Sequence, residues 1–266
     1  MPKFAANLSM MFNEVPFPAR FGAAAAAGFK AVEFLFPYDY TPQEVASWLG
    51  QHDLKSVLFN LPPGDWAAGE RGIASLPGRE AEFRTGVARA IEYAQALGTP
   101  NVHMMAGLIP AGADLTVHRA LYLDNLRHAA GEVGRHGLNL LIEPINGRDM
   151  PGYFLQSQSQ AHALRIESGA PNVKVQMDFY HAQIVEGDLA STFKKYIEHI
   201  GHVQIASVPT RNEPDDGEVN YSYLYRLLDE LGYQGWIGCE YRPRGRTEDG
   251  LGWLATATAS LAGRVA

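Results

Sequence analysis

Four segments in the second half of the chain share one feature: a metal-capable side chain stands at or near the end of a mainly apolar run. These side chains are Glu143, Asp178, Gln204 and Glu240. A carboxylate within a buried run is unfavourable unless it is paired or bound to a cation, and several converging carboxylates repel one another. A divalent metal would remove that conflict. Because all four donors are oxygens, the pattern favours a hard ion such as Mg²⁺ or Mn²⁺.

Each acid considered alone has an equally good explanation. A carboxylate is favoured at the N-terminus of a helix, and it can also pair with a neighbouring arginine. The recurrence of the pattern in four successive segments is harder to explain in this way. The set as a whole therefore favours a metal site.

Two further residues are candidates for substrate binding. His181 follows Asp178 by three positions, where its imidazole could donate to a substrate oxygen. Arg211 lies in a loop, where its guanidinium could hold a substrate carboxylate; the alternative is a solvated charge or a salt bridge to Glu213. We interpret seven other histidines as surface or hydrogen-bonded residues: His52, His103, His118, His128, His136, His199 and His202.

The elements that must position these residues alternate along the chain. Short β-branched or apolar runs predict strands at residues 4–9, 31–36, 56–59, 101–105, 138–143, 173–178, 202–206 and 236–240. Helical periodicity predicts helices at residues 17–27, 42–51, 79–97, 115–136, 157–168, 189–199 and 221–231. Eight strand and helix units in 266 residues predict a single (β/α)₈ TIM barrel over residues 1–266.

A doubly wound open sheet is the alternative architecture. Its dinucleotide-binding form needs a glycine-rich turn after the first strand, and this chain has the letters NLSMM at residues 7–11 instead. The closed barrel is therefore the favoured prediction.

The segment from residue 60 to residue 79 is long and rich in glycine and proline. Loops of this kind often act as lids, and this one leaves the carboxyl end of the third predicted strand, where barrels place their chemistry. It contains Trp66 and Arg71, which we predict to contact substrate.

Composition limits the classes of partner. The formal charge of −7 and the absence of a long basic run argue against nucleic acid, and no apolar run approaches a membrane span. The single cysteine, Cys239, excludes an intrachain disulfide. The N-terminus lacks the pattern of a signal peptide, so we expect a cytoplasmic protein with a small-molecule substrate. The sequence is compatible with a homo-oligomer.

The motifs around these residues resemble those of hydroxypyruvate isomerases and 2-oxotetronate isomerases, within the xylose-isomerase-like barrel superfamily. The resemblance runs nearly end to end. Its segments are FAANLSM at 4–10, VEFLFPY at 32–38, PGDWAAGERG at 63–72, IEPIN at 142–146, DFYH at 178–181, HVQIA at 202–206 and GCEY at 238–241.

The resemblance implies specific roles. Glu143 and Glu240 would be the catalytic acid and base, and both would hold the metal together with Asp178 and Gln204. His181 and Arg211 would contact substrate oxygens, by likeness to the epimerase branch. The implied reaction exchanges the carbonyl and hydroxyl groups of hydroxypyruvate to give tartronate semialdehyde (2-hydroxy-3-oxopropanoate), with Glu240 favoured as the group that removes the proton.

The sequence does not decide between the hydroxypyruvate isomerase branch and the 2-oxotetronate isomerase branch of the family. The stretch ASVP at 206–209 departs from the Asp-Asn-x-Pro type of many hydroxypyruvate isomerases and is closer to 2-oxotetronate isomerases, whereas the lid is closer to hydroxypyruvate isomerases. A ketose 3-epimerase is a further alternative. A metal-dependent endonuclease would need several zinc-binding histidines and a basic groove, and a non-catalytic barrel would not explain the acids at the strand ends.

Overall fold

The prediction of a closed (β/α)₈ barrel is confirmed by a computed structural model, which describes residues 2–262. Eight parallel strands close in sequence order, β1 through β8, and β8 pairs with β1 so that Ile237 lies beside Phe4. The strands are β1 Lys3–Asn7, β2 Ala31–Glu33, β3 Lys55–Asn60, β4 Asn101–His103, β5 Asn139–Ile142, β6 Val173–Asp178, β7 Ile200–Ile205 and β8 Trp236–Cys239.

Helices surround this barrel. They are α1 Phe17–Ala26, α2 Pro42–Gln51, α3 Glu80–Leu97, α4 Leu115–Gly134, α5 Gln158–Ser168, α6 Phe179–Val185, α7 Leu189–Tyr196, α8 Tyr221–Glu230 and α9 Gly252–Ala262. Within the described residues, none of them combines the length and apolarity needed to cross a membrane.

The predicted helices agree with the observed ones except in three places. The helix predicted for residues 189–199 ends at Tyr196, and residues 197–199 form a 3₁₀ turn. The sequence analysis missed α9 and also α6. Helix α6 was missed because it starts immediately after β6: Asp178 ends the strand, and its Oδ1 accepts a hydrogen bond from the backbone N–H of Tyr180, which caps the helix.

The strands divide their side chains between two buried regions. Residues two positions apart on a strand share a face, so the period of two separates the barrel interior from the layer under the helices. Ala5, Ala31, Leu58 and Leu141 form part of one small buried cluster, separate from the large apolar core that includes Ala6 and Val32.

Two positions beyond each of these four residues stands a polar residue. These are Asn7, Glu33, Asn60 and Glu143, and all four are buried. The interior of the barrel is therefore apolar near the amino ends of these strands and polar near their carboxyl ends, which positions a site at the C-terminal mouth.

Candidate active site

Three acids meet at the C-terminal mouth of the barrel. Glu143 directly follows β5, Asp178 ends β6 and Glu240 directly follows β8. Each of them, together with His181 of α6, offers a donor atom, and these four atoms lie within 4.8 Å of one another. The barrel thus brings residues from three strands to the distance range of a single cation site.

Two of the three acids keep an oxygen without a hydrogen bond, and one arginine, Arg211, is the cation in ion-pair contact with Asp178 and Glu240. Glu143 Oε1 and Asp178 Oδ2 are buried and accept no hydrogen bond from the described residues. Burial raises the pKa of Glu240 to about 8 and that of Asp178 to about 6, although the nearby charge of Arg211 opposes both shifts. Burial, with the charges of Glu240 and Asp178, also raises the pKa of Glu143. A cation would stabilise all three carboxylates.

Asp178 combines two roles that the sequence presented as alternatives. Its Oδ1 caps α6 at 2.8 Å from the Tyr180 nitrogen, while its Oδ2 stays without a hydrogen-bond partner among the described residues. A carboxylate has two oxygens, so capping a helix with one leaves the other available to a metal.

His181 is buried beside the acids, but its surroundings favour a donor role. The Asn146 backbone N–H and side-chain Nδ2 lie 3.4 and 2.6 Å from Nδ1, so Nδ1 accepts and we assign the proton to Nε2. Burial, with the charge of Arg211, lowers the pKa of His181 and keeps the ring neutral. Its Nε2 lies 3.6 Å from Asp178 Oδ2. Arg211 Nη2, which can only donate, lies 3.3 Å from the same Nε2. The assigned tautomer therefore satisfies Asn146 and faces Asp178, but leaves the Arg211 contact without a hydrogen bond. With its proton on Nε2, His181 is a donor to a neighbouring oxygen.

Gln204 lies on β7 directly opposite Asp178 in the strand register and lines the same cavity. Its Nε2 donates to Glu33 at 2.8 Å, and its Oε1 accepts from Gln176 Nε2 at 2.6 Å. The amide is thus held at both ends, with its nitrogen toward Glu33 and its oxygen toward Gln176. A carbonyl oxygen has two lone pairs, so this one can accept a second contact.

Arg211 is buried among the acids, so the alternative of a solvated loop charge paired with Glu213 was wrong. Its Nη2 donates to Glu240 at 2.8 Å and its Nη1 to Asp149 at 3.1 Å. Glu213 instead pairs with Arg244. Burial alone would lower the pKa of Arg211, but the carboxylates of Glu240, Asp178 and Asp149 raise it. Arg211 is a fixed cation of the site.

The candidate lid, residues 60–79, packs at the mouth of the cavity. The guanidinium of Arg71 lies 3.9 Å from the ring centroid of Trp66, and that ring packs against Phe36. Arg71 also donates to two lid carbonyls, and among the described residues no carboxylate forms a salt bridge with it. Gly72, at φ 98°, crosses so close to the Met105 backbone that a Cβ would collide with it. Trp66 and Arg71 both line the cavity.

Four further polar residues of the cavity come from the first four strands: Asn7, Glu33, Asn60 and His103. His103 Nδ1 lies 3.1 Å from Asn60 Oδ1 and 3.7 Å from Glu143 Oε2, and burial lowers its pKa to about 3, so the ring is neutral. The sequence analysis missed this half of the site. Each of these residues ends a strand in the structure, but the strands predicted at 4–9, 31–36 and 101–105 continued past three of them, which hid the pattern.

The cavity has a volume of about 200 Å³. Pockets for drug-sized ligands span roughly 300–1,000 Å³, so this one suits a small substrate. The fold and the site together define a TIM-barrel enzyme with a candidate cation centre at its mouth.

Comparison with known proteins identifies the family. A family model described as xylose isomerase-like TIM barrel matches residues 21–257. A 2-oxo-tetronate isomerase of Cupriavidus necator is 60% identical, with 96% of this chain and 98% of the relative covered. The hydroxypyruvate isomerase of Escherichia coli K12 is 49% identical, with the same coverage. A crystal structure described as AP endonuclease, family 2, from Brucella melitensis is 54% identical, with a TM-score of 0.94 over 96% of this chain and 99% of that one.

The chain belongs to the xylose isomerase-like TIM barrel family. Its similarity to curated isomerases over nearly the whole length makes it an enzyme of the isomerase class.

Proposed function

We propose that this enzyme is a metal-dependent isomerase that exchanges the carbonyl and hydroxyl groups of a small 2-oxo-3-hydroxy acid. One observation carries the proposal: two buried carboxylate oxygens, Glu143 Oε1 and Asp178 Oδ2, accept no hydrogen bond from the described residues and lie beside a third buried acid. A donor set of oxygens suits Mg²⁺ or Mn²⁺. When bound, the ion would act as a Lewis acid that makes the substrate C–H bond more acidic.

Glu143, Asp178, Gln204 and Glu240 would hold the ion. The oxygens left free on Glu143 and Asp178 fit this role, and so does the amide oxygen of Gln204, whose nitrogen is turned toward Glu33. His181 would stand beside them as a hydrogen-bond donor to a substrate oxygen.

Glu240 and Glu143 would transfer the proton. Glu240 removes it from the carbon that bears the hydroxyl, the hydroxyl proton passes to the neighbouring carbonyl oxygen, and Glu143 assists by returning a proton at the adjacent carbon. Both side chains are buried in the cavity, where a carboxyl group can exchange a proton near neutral pH, and general acid–base groups of this kind contribute roughly 10²–10⁴-fold to the rate.

Three arginines line the cavity and could hold the substrate carboxylate: Arg71, Arg211 and the exposed Arg242. Arg211 already donates to Glu240 and Asp149; among the described residues its buried Nε has no hydrogen-bond partner, whereas Arg71 has no acidic partner. We therefore assign Arg71, supported by the Trp66 ring, as the main carboxylate contact and Arg211 as the group that orients Glu240.

Two substrates share the required chemistry. Hydroxypyruvate, which the sequence analysis placed first, has three carbons, and a 2-oxotetronate has one more. The 60% identity to a protein named 2-oxo-tetronate isomerase, against 49% to one named hydroxypyruvate isomerase, favours the four-carbon acid. Hydroxypyruvate is the second candidate.

A nuclease function is not favoured, although the similar Brucella structure is described as an AP endonuclease. The formal charge of this chain is −7, and its cavity is lined by several carboxylates. A surface of that charge repels a phosphodiester backbone, whose binding depends on cationic side chains.

The test is a spectroscopic assay of the purified protein, with and without chelation, on hydroxypyruvate and both 2-oxotetronates. Chelation should abolish turnover, added Mg²⁺ or Mn²⁺ should restore it, and kcat/KM should be highest for a 2-oxotetronate. Full activity in protein shown by elemental analysis to be metal-free would refute metal dependence. Turnover of neutral ketoses in preference to all three acids would refute the substrate class and favour a 3-epimerase.

A further inference from the structure

We propose that Glu33 is a positioning residue that turns the amide oxygen of Gln204 toward the metal and fixes Asn7 beside Glu240. This inference rests on the proposed metal-dependent function. Glu33 stands at the carboxyl end of β2, across the barrel from β7, and only 1% of its surface is exposed.

The carboxylate of Glu33 is surrounded by donors. Asn7 Nδ2 lies 2.9 Å and Gln204 Nε2 2.8 Å from its Oε1, and His202 Nε2 lies 2.6 Å from its Oε2. An ionised carboxylate only accepts hydrogen bonds, so it selects the donor end of every amide that it contacts. Glu33 therefore fixes which end of the Gln204 side chain faces it.

That selection determines what Gln204 presents to the acids. The nitrogen of the amide is held by Glu33, and the oxygen accepts a hydrogen bond from Gln176 with one of its two lone pairs. The oxygen is the atom of a glutamine that binds a hard cation. If the amide were reversed, its oxygen would face the Glu33 carboxylate and its NH₂ group would face the metal position. Both contacts would be repulsive.

The same carboxylate reaches the proposed base through Asn7. The Asn7 Nδ2 that donates to Glu33 lies 3.4 Å from Glu240 Oε1, so one NH₂ group bridges the two acids. Glu33 thereby contacts one proposed ligand directly and another through a single side chain.

The barrel is shaped to keep Glu33 in this place. Gly238 of β8 faces the carboxylate, and a Cβ at that position would collide with both carboxylate oxygens. The glycine makes room for a charged group in the barrel interior, where an alanine would force it out of reach of Gln204.

The competing explanation is purely structural: Glu33 could simply join β1, β2 and β7 through its three hydrogen bonds. A structural role predicts loss of stability when Glu33 is changed, without a specific effect on metal binding. Partners of this kind around a metal typically change its affinity by about 10–100-fold when they are mutated. Affinity for the metal alone, without substrate, separates the two explanations.

The experiment is titration of the metal-free protein with Mn²⁺, followed by calorimetry and by the electron paramagnetic resonance signal of free Mn²⁺. We expect Glu33→Gln to raise the Kd by about 10–100-fold, because the introduced amide can offer an NH₂ group that reverses Gln204. Glu213→Gln is the matched control. Glu213 is equally buried and equally well bonded, to Arg244, but lies outside the cavity, so the Kd of its variant should stay within about twofold of wild type.

Two further variants complete the test. Glu33→Asp keeps the negative charge but moves it away from Gln204, so the Kd of this variant for Mn²⁺ should lie between those of wild type and Glu33→Gln. This variant also replaces Glu33→Gln in the test if Glu33→Gln does not fold. The double variant Glu33→Gln/Gln204→Glu exchanges donor and acceptor with the number of carboxylates unchanged, and we expect it to recover at least half of the lost affinity on a logarithmic scale.

The outcomes distinguish the two proposals. A wild-type protein that binds no Mn²⁺ would refute the metal proposal and this inference with it. Wild-type affinity in Glu33→Gln or Glu33→Asp would refute only the positioning role. A weakened Glu33→Gln that the double variant fails to rescue would mean that Glu33 supports the structure without orienting Gln204.

Discussion

Two groups of buried carboxylates stand in the same barrel mouth in contrasting surroundings. Glu33, from the first half of the barrel, accepts hydrogen bonds from three side chains. Glu143 and Asp178, from the second half, each retain a buried oxygen that accepts no hydrogen bond from the described residues. All three residues are at most 5% exposed, so burial does not distinguish them.

The difference lies in what balances the negative charge. Protein donors satisfy Glu33, and it needs nothing further. Among Glu143, Asp178 and Glu240, the charge of Arg211 is shared by several carboxylates, and the raised pKa values show that it is not enough. A buried carboxylate whose hydrogen bonds all come from protein donors has a structural role in the site. A buried carboxylate with an oxygen that accepts no hydrogen bond is a candidate to bind a ligand.

The largest expected effect concerns two acids from the second half of the barrel, Glu143 and Glu240. Glu143→Gln and Glu240→Gln should each lower kcat by at least about 10²-fold, because each removes a proton-transfer group. Glu33→Gln should lower it less and should recover at saturating Mn²⁺. The measurement is steady-state kinetics over a range of Mn²⁺ concentrations, with circular dichroism to verify folding.

Metal content decides how that result is interpreted. If Glu143→Gln or Glu240→Gln also loses Mn²⁺, the loss of activity reports a ligand role. Near-normal turnover in either folded variant would show that the residue is neither acid nor base.

The second expected effect compares two of the cavity arginines, Arg71 and Arg211. Arg71→Met should raise KM for the oxo acid by about 10- to 100-fold, since a charge-assisted hydrogen bond contributes roughly 1.5–3 kcal/mol. Arg211→Met should mainly lower kcat, because it removes the partner of Glu240. Arg71→Lys should retain part of the affinity, as lysine keeps the charge but loses the planar fork.

A matched control for Arg71 is available. Arg89 also stacks on an aromatic ring, that of Tyr38, and donates to its carbonyl, but it lies outside the cavity. Arg89→Met should therefore leave KM unchanged. If Arg71→Met has no effect on KM while Arg211→Met raises it, the carboxylate lies at Arg211 instead.

A third prediction concerns the stability of the metal-free protein between about pH 6.5 and pH 8. The folded pKa of Glu240 is about 8, against a usual value of 4.5, so the folded state binds more protons in this range and stability falls as pH rises. Three buried histidines with lowered folded pKa values, His103 and His162 at about 3 and His181, have the opposite effect, which fades over roughly the first unit above their usual value of 6.5. The comparison with Glu240→Gln over the same pH range therefore isolates the contribution of the acid.

Thermal denaturation in the presence of chelator measures this slope. The fall in Tm should be smaller in Glu240→Gln, and Mn²⁺ should remove it in the wild type, because metal replaces the protons. A wild-type Tm that rises over this range would contradict the assignment of Glu240 as an acid whose pKa is raised in the folded, metal-free protein.

The smallest expected effect concerns the lid. Trp66 and Arg71 lie on a glycine-rich segment at the cavity mouth, so substrate should hold it in place and slow proteolysis within residues 60–79. Cleavage on the surface of α4 provides the internal reference. Equal cleavage of the lid with and without substrate would argue against closure.

The sequence alone determined the barrel and half of its mouth. Alternating apolar runs and helical periods define the strands and helices because burial on one face imposes a period of about 2 or 3.6. An acid directly after an apolar run is equally visible, which is how Glu143, Asp178 and Glu240 were found. The same criterion does not find the polar residues of the first four strands, because Asn7, Asn60 and His103 are not acids and Glu33 is followed by further apolar residues.

Only the tertiary structure determined the separate roles of these side chains. The donors of Glu33 come from β1 and β7, which lie 26 and 169 or more residues away in sequence, and no local pattern encodes such contacts. The partners of Arg211 are equally remote: Asp149 and Glu240 replace the neighbouring Glu213 that the sequence suggested. Closing the barrel sets these distances, and the distances determine which carboxylates are satisfied by protein and which are left for a cation.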